Sequence, residues 1–322
     1  MKIPFKIIAT GLLFTASINI QADTPAPAIH VNQLGFLPDA RKIAIVPPVK
    51  GASTFSIVKA GTDKIVFKGK LSSENAWLPA EERTQFADFS ALKKTGDFQL
   101  KVDGLPASDH FTIADDEYVV INHAALKYYY LNRASTPIEQ KYAGKYARAA
   151  GHPDDHVLVH ASAATEKRPE GTVLSSPKGW YDAGDYNKYI VNSGISTYTL
   201  LAAYEHFPQY YGRQAINIPR DKGEEKIPDL LVEAMWNLQW MLTMQDEDGG
   251  VYHKLTTKLF DPFEMPDKDL KERYVVQKTT AATLDFAAVM AVASRVYSKY
   301  ENVHPGLAAK MRNAAEHAWQ WA

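Results

Sequence analysis

The stretch Ala114-Asp115-Asp116-Glu117-Tyr118-Val119-Val120-Ile121-Asn122-His123-Ala124-Ala125-Leu126-Lys127-Tyr128-Tyr129 marks a change of period. Before it, apolar residues recur at every second position. Within it, Tyr118, Ile121, Ala125, Leu126 and Tyr129 form one stripe at helical spacing. The acids ahead of the stripe suit a helix N-terminus, where unpaired N–H groups and the helix dipole favour negative charge. The spacing predicts a β domain before residue 115 and a helical domain after it.

Upstream, from Ile29 to Ile113, the pattern is all β. Lys42-Ile43-Ala44-Ile45-Val46 alternates and Pro47-Pro48 stops it. Phe55, Ile57, Ile65 and Phe67 fall in two runs split by Ala60-Gly61-Thr62-Asp63. Phe98, Leu100 and Val102 alternate after Thr95-Gly96-Asp97, and Phe111 and Ile113 close the region. Short strands punctuated by turn residues predict a small antiparallel sandwich of immunoglobulin type over 23–114.

The first residues read as a targeting signal. Lys2 and Lys6 supply charge, Ile7 to Ile20 an apolar run, and Ala22 a cleavage point before Asp23. The run is too short and too interrupted by Thr10, Thr15, Ser17 and Asn19 to span a bilayer. Residues 1–22 are therefore expected to be a signal peptide, and the mature protein to be secreted or periplasmic.

Downstream, Ile190 to Phe207 carries Ile195, Tyr198, Leu201 and Ala202. Pro228 opens a helix with Ile227, Leu230, Leu231, Ala234, Leu238, Met241 and Leu242 on one face. Thr279-Thr280 caps a run to Tyr300 that is apolar nearly all round, as in a helix buried on several sides. Pro305 opens another with Leu307, Met311, Ala315, Ala318 and Trp319. No strand–helix alternation exists, which excludes a doubly wound sheet.

Two long loops interrupt these helices, Ser135–Lys178 and Gln245–Gln277, and loops of such length are usually functional. The first ends in Gly179-Trp180-Tyr181-Asp182-Ala183-Gly184-Asp185-Tyr186-Asn187-Lys188-Tyr189. Here two carboxylates stand three residues apart, with a glycine between them and aromatics on both sides. These are ingredients of a sugar cleft: pyranose faces stack on rings and carboxylates do the proton work. The same residues also fit a turn in which Asp182 and Asp185 cap the next helix. The second loop holds Asp246-Glu247-Asp248-Gly249-Gly250-Val251-Tyr252-His253-Lys254. Its acids could take calcium but lack the spacing of a calcium-binding loop, so a solvated turn and no cofactor are expected. Tyr252 and His253 follow the glycines and are candidates to reach the sugar cleft.

Composition narrows the partners. A formal net charge of −1 argues against nucleic acid or an anionic membrane surface and fits a neutral ligand. The absence of cysteine excludes disulfides, thiol catalysis, thiolate zinc sites and a lipoprotein anchor.

The acidic loop, from Trp180 to Tyr189, resembles the signature of glycoside hydrolase family 9, the cellulase family. So do Ile227-Pro228-Asp229-Leu230-Leu231-Val232-Glu233-Ala234, Gly249-Gly250-Val251-Tyr252-His253-Lys254 and Ala281-Ala282-Thr283-Leu284-Asp285-Phe286-Ala287. His30-Val31-Asn32-Gln33-Leu34-Gly35-Phe36-Leu37-Pro38 is similar to the opening of the immunoglobulin-like domain preceding many bacterial members. The resemblance covers nearly all of the chain after the signal.

It implies an (α/α)6 barrel over 115–322 and hydrolysis of β-1,4-glucosidic bonds with inversion, acting on a β-glucan polysaccharide or oligosaccharide. By position it makes Asp185 the base and Asp182 its partner on the attacking water. Gly184 is expected to let the backbone bend so that both converge. Trp180, Tyr181 and Tyr186 are expected to stack on sugar or to wall the loop. The family's general acid, a late glutamate, is expected beyond Ala322. Only five long helical patterns are legible, so the barrel is expected to be incomplete in this chain. Two other readings stay open: a non-catalytic sugar-binding or assembly protein, and an exo-acting glucosidase or glucosaminidase.

Overall fold

The computed structural model describes residues 28–260 and 262–322. The expected signal peptide therefore lies outside the described residues. The chain forms two compact units, one ending at Tyr118 and the other beginning at Val119.

The first unit is a two-sheet sandwich. Its strands are β1 (Ile43–Val46), β2 (Thr54–Lys59), β3 (Ile65–Lys70), β4 (Asn75–Trp77), β5 (Glu82–Asp88), β6 (Gly96–Lys101) and β7 (Phe111–Ile113). One sheet runs β1-β5-β4 and the other β3-β2-β6-β7. All pairings within them are antiparallel. Alternation sends Ala44, Val46, Phe55, Ile57, Phe98 and Leu100 inward. Phe36, Phe89 and Phe111 meet at 5.2–5.7 Å between ring centroids and fill the space between the sheets.

The second unit is built on five long helices: α1 (Val119–Leu131), α3 (Ile190–His206), α5 (Asp229–Thr243), α6 (Thr280–Tyr297) and α7 (Leu307–Trp321). Single turns α2 (Gln140–Ala143) and α4 (Pro208–Tyr211) sit between them. Helix α3 packs on both α5 and α6, and α7 packs on α6. These helix pairs account for part of the barrel that the family resemblance implies.

Two buried faces differ from the expected ones. In α1, Ile121 is exposed, and Leu126 and Tyr130 are the buried pair. The Tyr130 hydroxyl accepts from the Glu139 N–H at 3.1 Å, so this helix buries an aromatic with a polar handle. In α3, Ile195 and Tyr198 are exposed, while Ser193, Gly194, Thr197, Leu200 and Leu201 are buried. Small residues let α3 lie close to two neighbours at once. A methyl group on Gly194 would sit 1.5 Å from Asp285 Oδ2 of α6. Helix α5 keeps its expected face: Leu230, Leu231, Ala234, Leu238 and Met241 are buried. Thr279 caps α6 as expected, its hydroxyl accepting from the Ala282 N–H at 3.2 Å. Trp319 of α7, expected on the buried face, is 71% exposed.

The long loops are not free of regular structure. They pair as a five-stranded sheet in the order β10-β11-β12-β8-β9. Its members are β8 (Val157–Val159), β9 (Val173–Leu174), β10 (Lys188–Tyr189), β11 (Lys254–Thr256) and β12 (Arg273–Val275). Strands β12 and β8 run parallel and the other pairs antiparallel. The sheet joins both loops to the segment that follows Asp185.

Asp285 supplies a stability test. Its Oδ2 is buried and has no hydrogen-bond partner among the described residues. Burial raises its pKa from 3.8 to about 6. The folded state therefore holds this proton more tightly than the unfolded state. Its contribution to stability is present below the unfolded pKa of 3.8 and is lost as pH rises through about 6. Asp285→Asn is expected to raise Tm relative to wild type at pH 7–8, with the gain shrinking between pH 6 and 4. Thermal melts across that range check it; a wild-type-to-variant difference independent of pH would contradict it.

Candidate active site

The acidic turn is anchored at both ends. On the entry side, the Ala134 N–H donates to Gly179 O and the Tyr181 N–H to Asn132 O, each at 2.9 Å. The Trp180 N–H donates to Asn237 Oδ1 of α5 at 3.2 Å. Gly179 has a φ of +82°, and a Cβ there would meet the Trp240 ring at 2.8 Å, so only glycine fits. On the exit side, Lys188 and Tyr189 form β10 and pair with Leu255 and Lys254 of β11. Between these anchors the Asp182 N–H donates to Asn187 O at 2.9 Å and closes the loop.

Gly184 does not carry the bend as expected. Its φ lies outside the left-handed region, and a methyl group there would meet nothing within 4 Å. The positive φ, +55°, falls on Tyr186, a residue with a side chain.

Asp182 is exposed and Asp185 half-buried. Asp182 Oδ1 accepts from Asn192 Nδ2 of α3 at 2.7 Å. Asp185 Oδ2 accepts from Asn187 Nδ2 at 2.7 Å and from the Tyr189 hydroxyl at 3.3 Å. Asp185 Oδ1 takes one long bond, 3.4 Å, from the Asn187 N–H. Among the described residues, all these donors are neutral. The carboxylates are oriented by amides and a phenol, and each oxygen pair has lone pairs beyond these bonds with which to accept from a water.

The aromatic candidates divide. Trp180 is 4% exposed; its Nε1 donates to Glu233 Oε1 at 2.9 Å and its ring lies 4.7 Å from that of Tyr129. Glu233 in turn pairs with Arg133 at 3.0 Å. Tyr181 is buried, and its hydroxyl bonds His152 Nδ1 at 2.9 Å. His152 Nε2 lies 3.1 Å from Asp269 Oδ2, so this nitrogen donates to the carboxylate and Nδ1 accepts from Tyr181. Trp180 and Tyr181 are thus both buried against neighbouring side chains. Tyr186 is half-buried, with its ring 5.0 Å from Tyr181 and its hydroxyl donating to Glu264 O.

Tyr252 is fully buried, and its hydroxyl accepts from Arg168 Nη1 at 3.3 Å. It offers no face to a cleft. His253 is half-buried and edge-on to Tyr189 at 6.2 Å, so Tyr189 bridges it to Asp185. Burial holds the His253 imidazole below its ordinary pKa, with Lys254 adding to the effect.

The Asp246 loop is a turn whose Glu247 and Asp248 are exposed, as expected, but whose Asp246 is buried. Asp246 pairs with Arg168 at 3.0 Å and with Lys278 at 2.7 Å; Lys278 also binds Asp248 at 2.7 Å. Its carboxylates hold cationic side chains. Among the described residues, no group of three or more His, Cys, Asp or Glu could hold a metal ion.

Sequence reading missed three charged residues beneath the turn. Asp154, Lys188 and Arg273 are buried together. Asp154 binds Lys188 Nζ at 2.7 Å and Arg273 Nε at 3.2 Å. Arg273 Nη1 also donates to Tyr186 O at 2.9 Å. A charged residue in the otherwise apolar strand Arg273-Tyr274-Val275 was the available signal.

The profile of glycosyl hydrolase family 9 matches residues 118–322, and that of the cellulase N-terminal ig-like domain matches 24–107. A xyloglucan-specific endo-beta-1,4-glucanase of Bacteroides ovatus is 48% identical over 328 residues, which cover 100% of this chain and 55% of that protein. Endoglucanase D of Acetivibrio thermocellus is 36% identical, over 91% of this chain and 45% of that one. The solved Bacteroides ovatus GH9 structure superposes with a TM-score of 0.83 at 49% identity, covering 92% of this chain and 53% of the other. The chain thus spans about half the length of the relatives it matches.

Proposed function

The chain belongs to glycosyl hydrolase family 9, and on that premise we propose that the protein cleaves β-1,4-linked glucans with inversion, Asp185 acting as the base. A water held by Asp185 and Asp182 attacks the anomeric carbon. Asp185 takes its proton while a separate acid protonates the leaving oxygen. An inverting pair needs room for that water, so the acid is expected about 6.5–9.5 Å from the base. It is proposed to be a glutamate in the part of the relatives' length that this chain does not span.

The observation that carries the reading is the state of the two carboxylates. They stand on a turn anchored at both ends, oriented by neutral donors and paired with no cation among the described residues. A carboxylate whose only role was structural would more often be found against a cation or a run of backbone N–H groups. Trp180 and Tyr181 support the turn from below, and Tyr186 and His253 flank it; buried Tyr252 is left no contact with sugar.

Xyloglucan is the first substrate to try, since the Bacteroides ovatus relative carries that name. The domain limits 23–114 and 115–322 and export by the 1–22 segment belong to the same proposal. NMR of the earliest products of the full-length protein on soluble xyloglucan and cello-oligosaccharides tests it. The α-anomer is expected first. A first-formed β-anomer, or no hydrolysis of any β-1,4-glucan, would overturn it.

A further inference from the structure

We propose that Arg273, held by Asp154, is a positioning residue that sets the direction of Asp185 through the backbone of Tyr186. The inference rests on the reading of Asp185 as the base and adds a control over its geometry.

Tyr186 follows Asp185 directly, and its φ of +55° is a conformation that side-chain-bearing residues seldom adopt unaided. Besides its N–H, which donates to Ala183 O at 3.2 Å, contacts hold it from opposite ends. Arg273 Nη1 donates to its carbonyl at 2.9 Å, and its hydroxyl donates to Glu264 O. Arg273 is itself fixed, because Nε and Nη2 lie 3.2 and 3.5 Å from the two oxygens of Asp154. The second cation on Asp154 is Lys188, two residues after Tyr186; its Nζ also donates to Lys178 O at 2.8 Å and Ser176 O at 3.0 Å.

The buried cluster therefore grips the chain on both sides of Asn187. Asn187 is the residue that touches both acids: its side chain donates to Asp185 at 2.7 Å and its carbonyl accepts from the Asp182 N–H at 2.9 Å. Its Oδ1 accepts from the Thr257 N–H at 3.3 Å, tying it to the end of β11. A guanidinium suits the task at Arg273 because its donors are spread over a rigid planar fork, so that Nε and Nη2 face the carboxylate while Nη1 faces the carbonyl, whereas an ammonium would have to serve both from one point. Removing that arm takes the Arg273 bond from the Tyr186 carbonyl and lets the turn relax. A displacement of about 1 Å at a reacting group costs on the order of 100-fold in rate.

The test uses the full-length protein on soluble xyloglucan or cello-oligosaccharides, with Arg273→Lys, Tyr186→Phe and Asp185→Asn measured side by side. Arg273→Lys keeps a cation for Asp154 but lacks the forked donor that holds Tyr186 O. Its kcat per folded molecule is expected to fall by about 10- to 100-fold with KM within about threefold, since alignment is lost and sugar contacts are not. Folded fraction is read by circular dichroism, and a purely structural role would leave kcat per folded molecule within about twofold of wild type, which overturns the proposal. Where Arg273→Lys does not fold, Tyr186→Phe decides. Positioning expects a lower kcat at constant KM; a raised KM at constant kcat makes Tyr186 a sugar platform and overturns the proposal. The Asp185→Asn arm separates the two layers. If it abolishes turnover while Arg273→Lys and Tyr186→Phe do not reduce kcat, only the positioning role fails. If Asp185→Asn stays active, the base assignment fails and this inference falls with it.

Discussion

Asp185→Asn in the full-length protein is expected to cut hydrolysis of soluble β-1,4-glucan by about 100- to 10,000-fold, the usual range for removing a general base. The amide is isosteric with the carboxylate but cannot take a proton from water. The fold is expected to survive, because Asp185 is half-buried and bonded only to Asn187 and Tyr189 among the described residues. An amide can keep one of these bonds through its own oxygen. Binding of a cello-oligosaccharide, read by calorimetry, should stay within about threefold of wild type, because a base contributes to the transition state more than to ground-state binding. Asp182→Asn is expected to lose activity as well, through a water held at one point instead of two. Near-normal turnover by the Asp185 variant, with the fold verified, would remove the base from this residue.

The same turn shows how far the sequence could be read. The two acids and their aromatic neighbours were legible as a motif because chemistry and spacing are both local. The backbone that presents them was not. Glycine at 184 drew the bend to itself, yet the left-handed residue is Tyr186, held there by Arg273, which is 87 residues away in sequence. Contacts of that separation leave no periodic trace. The five-stranded sheet escaped for a related reason, since its strands are two or three residues long and exist only through partners in other loops.

In the sandwich, the strands that alternate clearly were found. β4 and β5 were not, because Glu82-Arg83-Thr84-Gln85-Phe86-Ala87-Asp88 sends only the small Ala87 fully inward. The existence of the five long helices was legible, but the buried face was legible only where large apolar residues line it, as in α5. On α3 the close approach to α5 and α6 runs through Ser193, Gly194 and Thr197, so the bulky Ile195 and Tyr198 point elsewhere. Hydrophobic periodicity measures which side is greasy, and here the tighter contact needed the side that is small.

The largest stability effect is expected at Asp154. Its side chain is 0% exposed and is the counter-ion of two buried cations, Lys188 and Arg273. Asp154→Asn keeps the shape and removes the charge. Breaking a buried pair from one side costs about 3–5 kcal/mol, because the remaining charge stays desolvated and uncompensated. For a unit of this size, each kcal/mol lowers Tm by about 2–4 °C, so a fall of roughly 6–20 °C is expected. The pH dependence carries a second signature. Burial already lowers the Lys188 pKa from 10.5 to about 8, and Asp154 is the main force opposing that shift. Without Asp154 the folded pKa drops further, while the unfolded value stays near 10.5. Between those values the unfolded chain binds more protons than the folded one, so the variant gains stability as pH rises. The deficit against wild type is therefore expected to narrow as pH climbs from 6 towards 9. Melting curves at both ends of that range decide it: a Tm within about 2 °C of wild type at pH 6 would mean that Lys188 and Arg273 are neutralised by something other than Asp154.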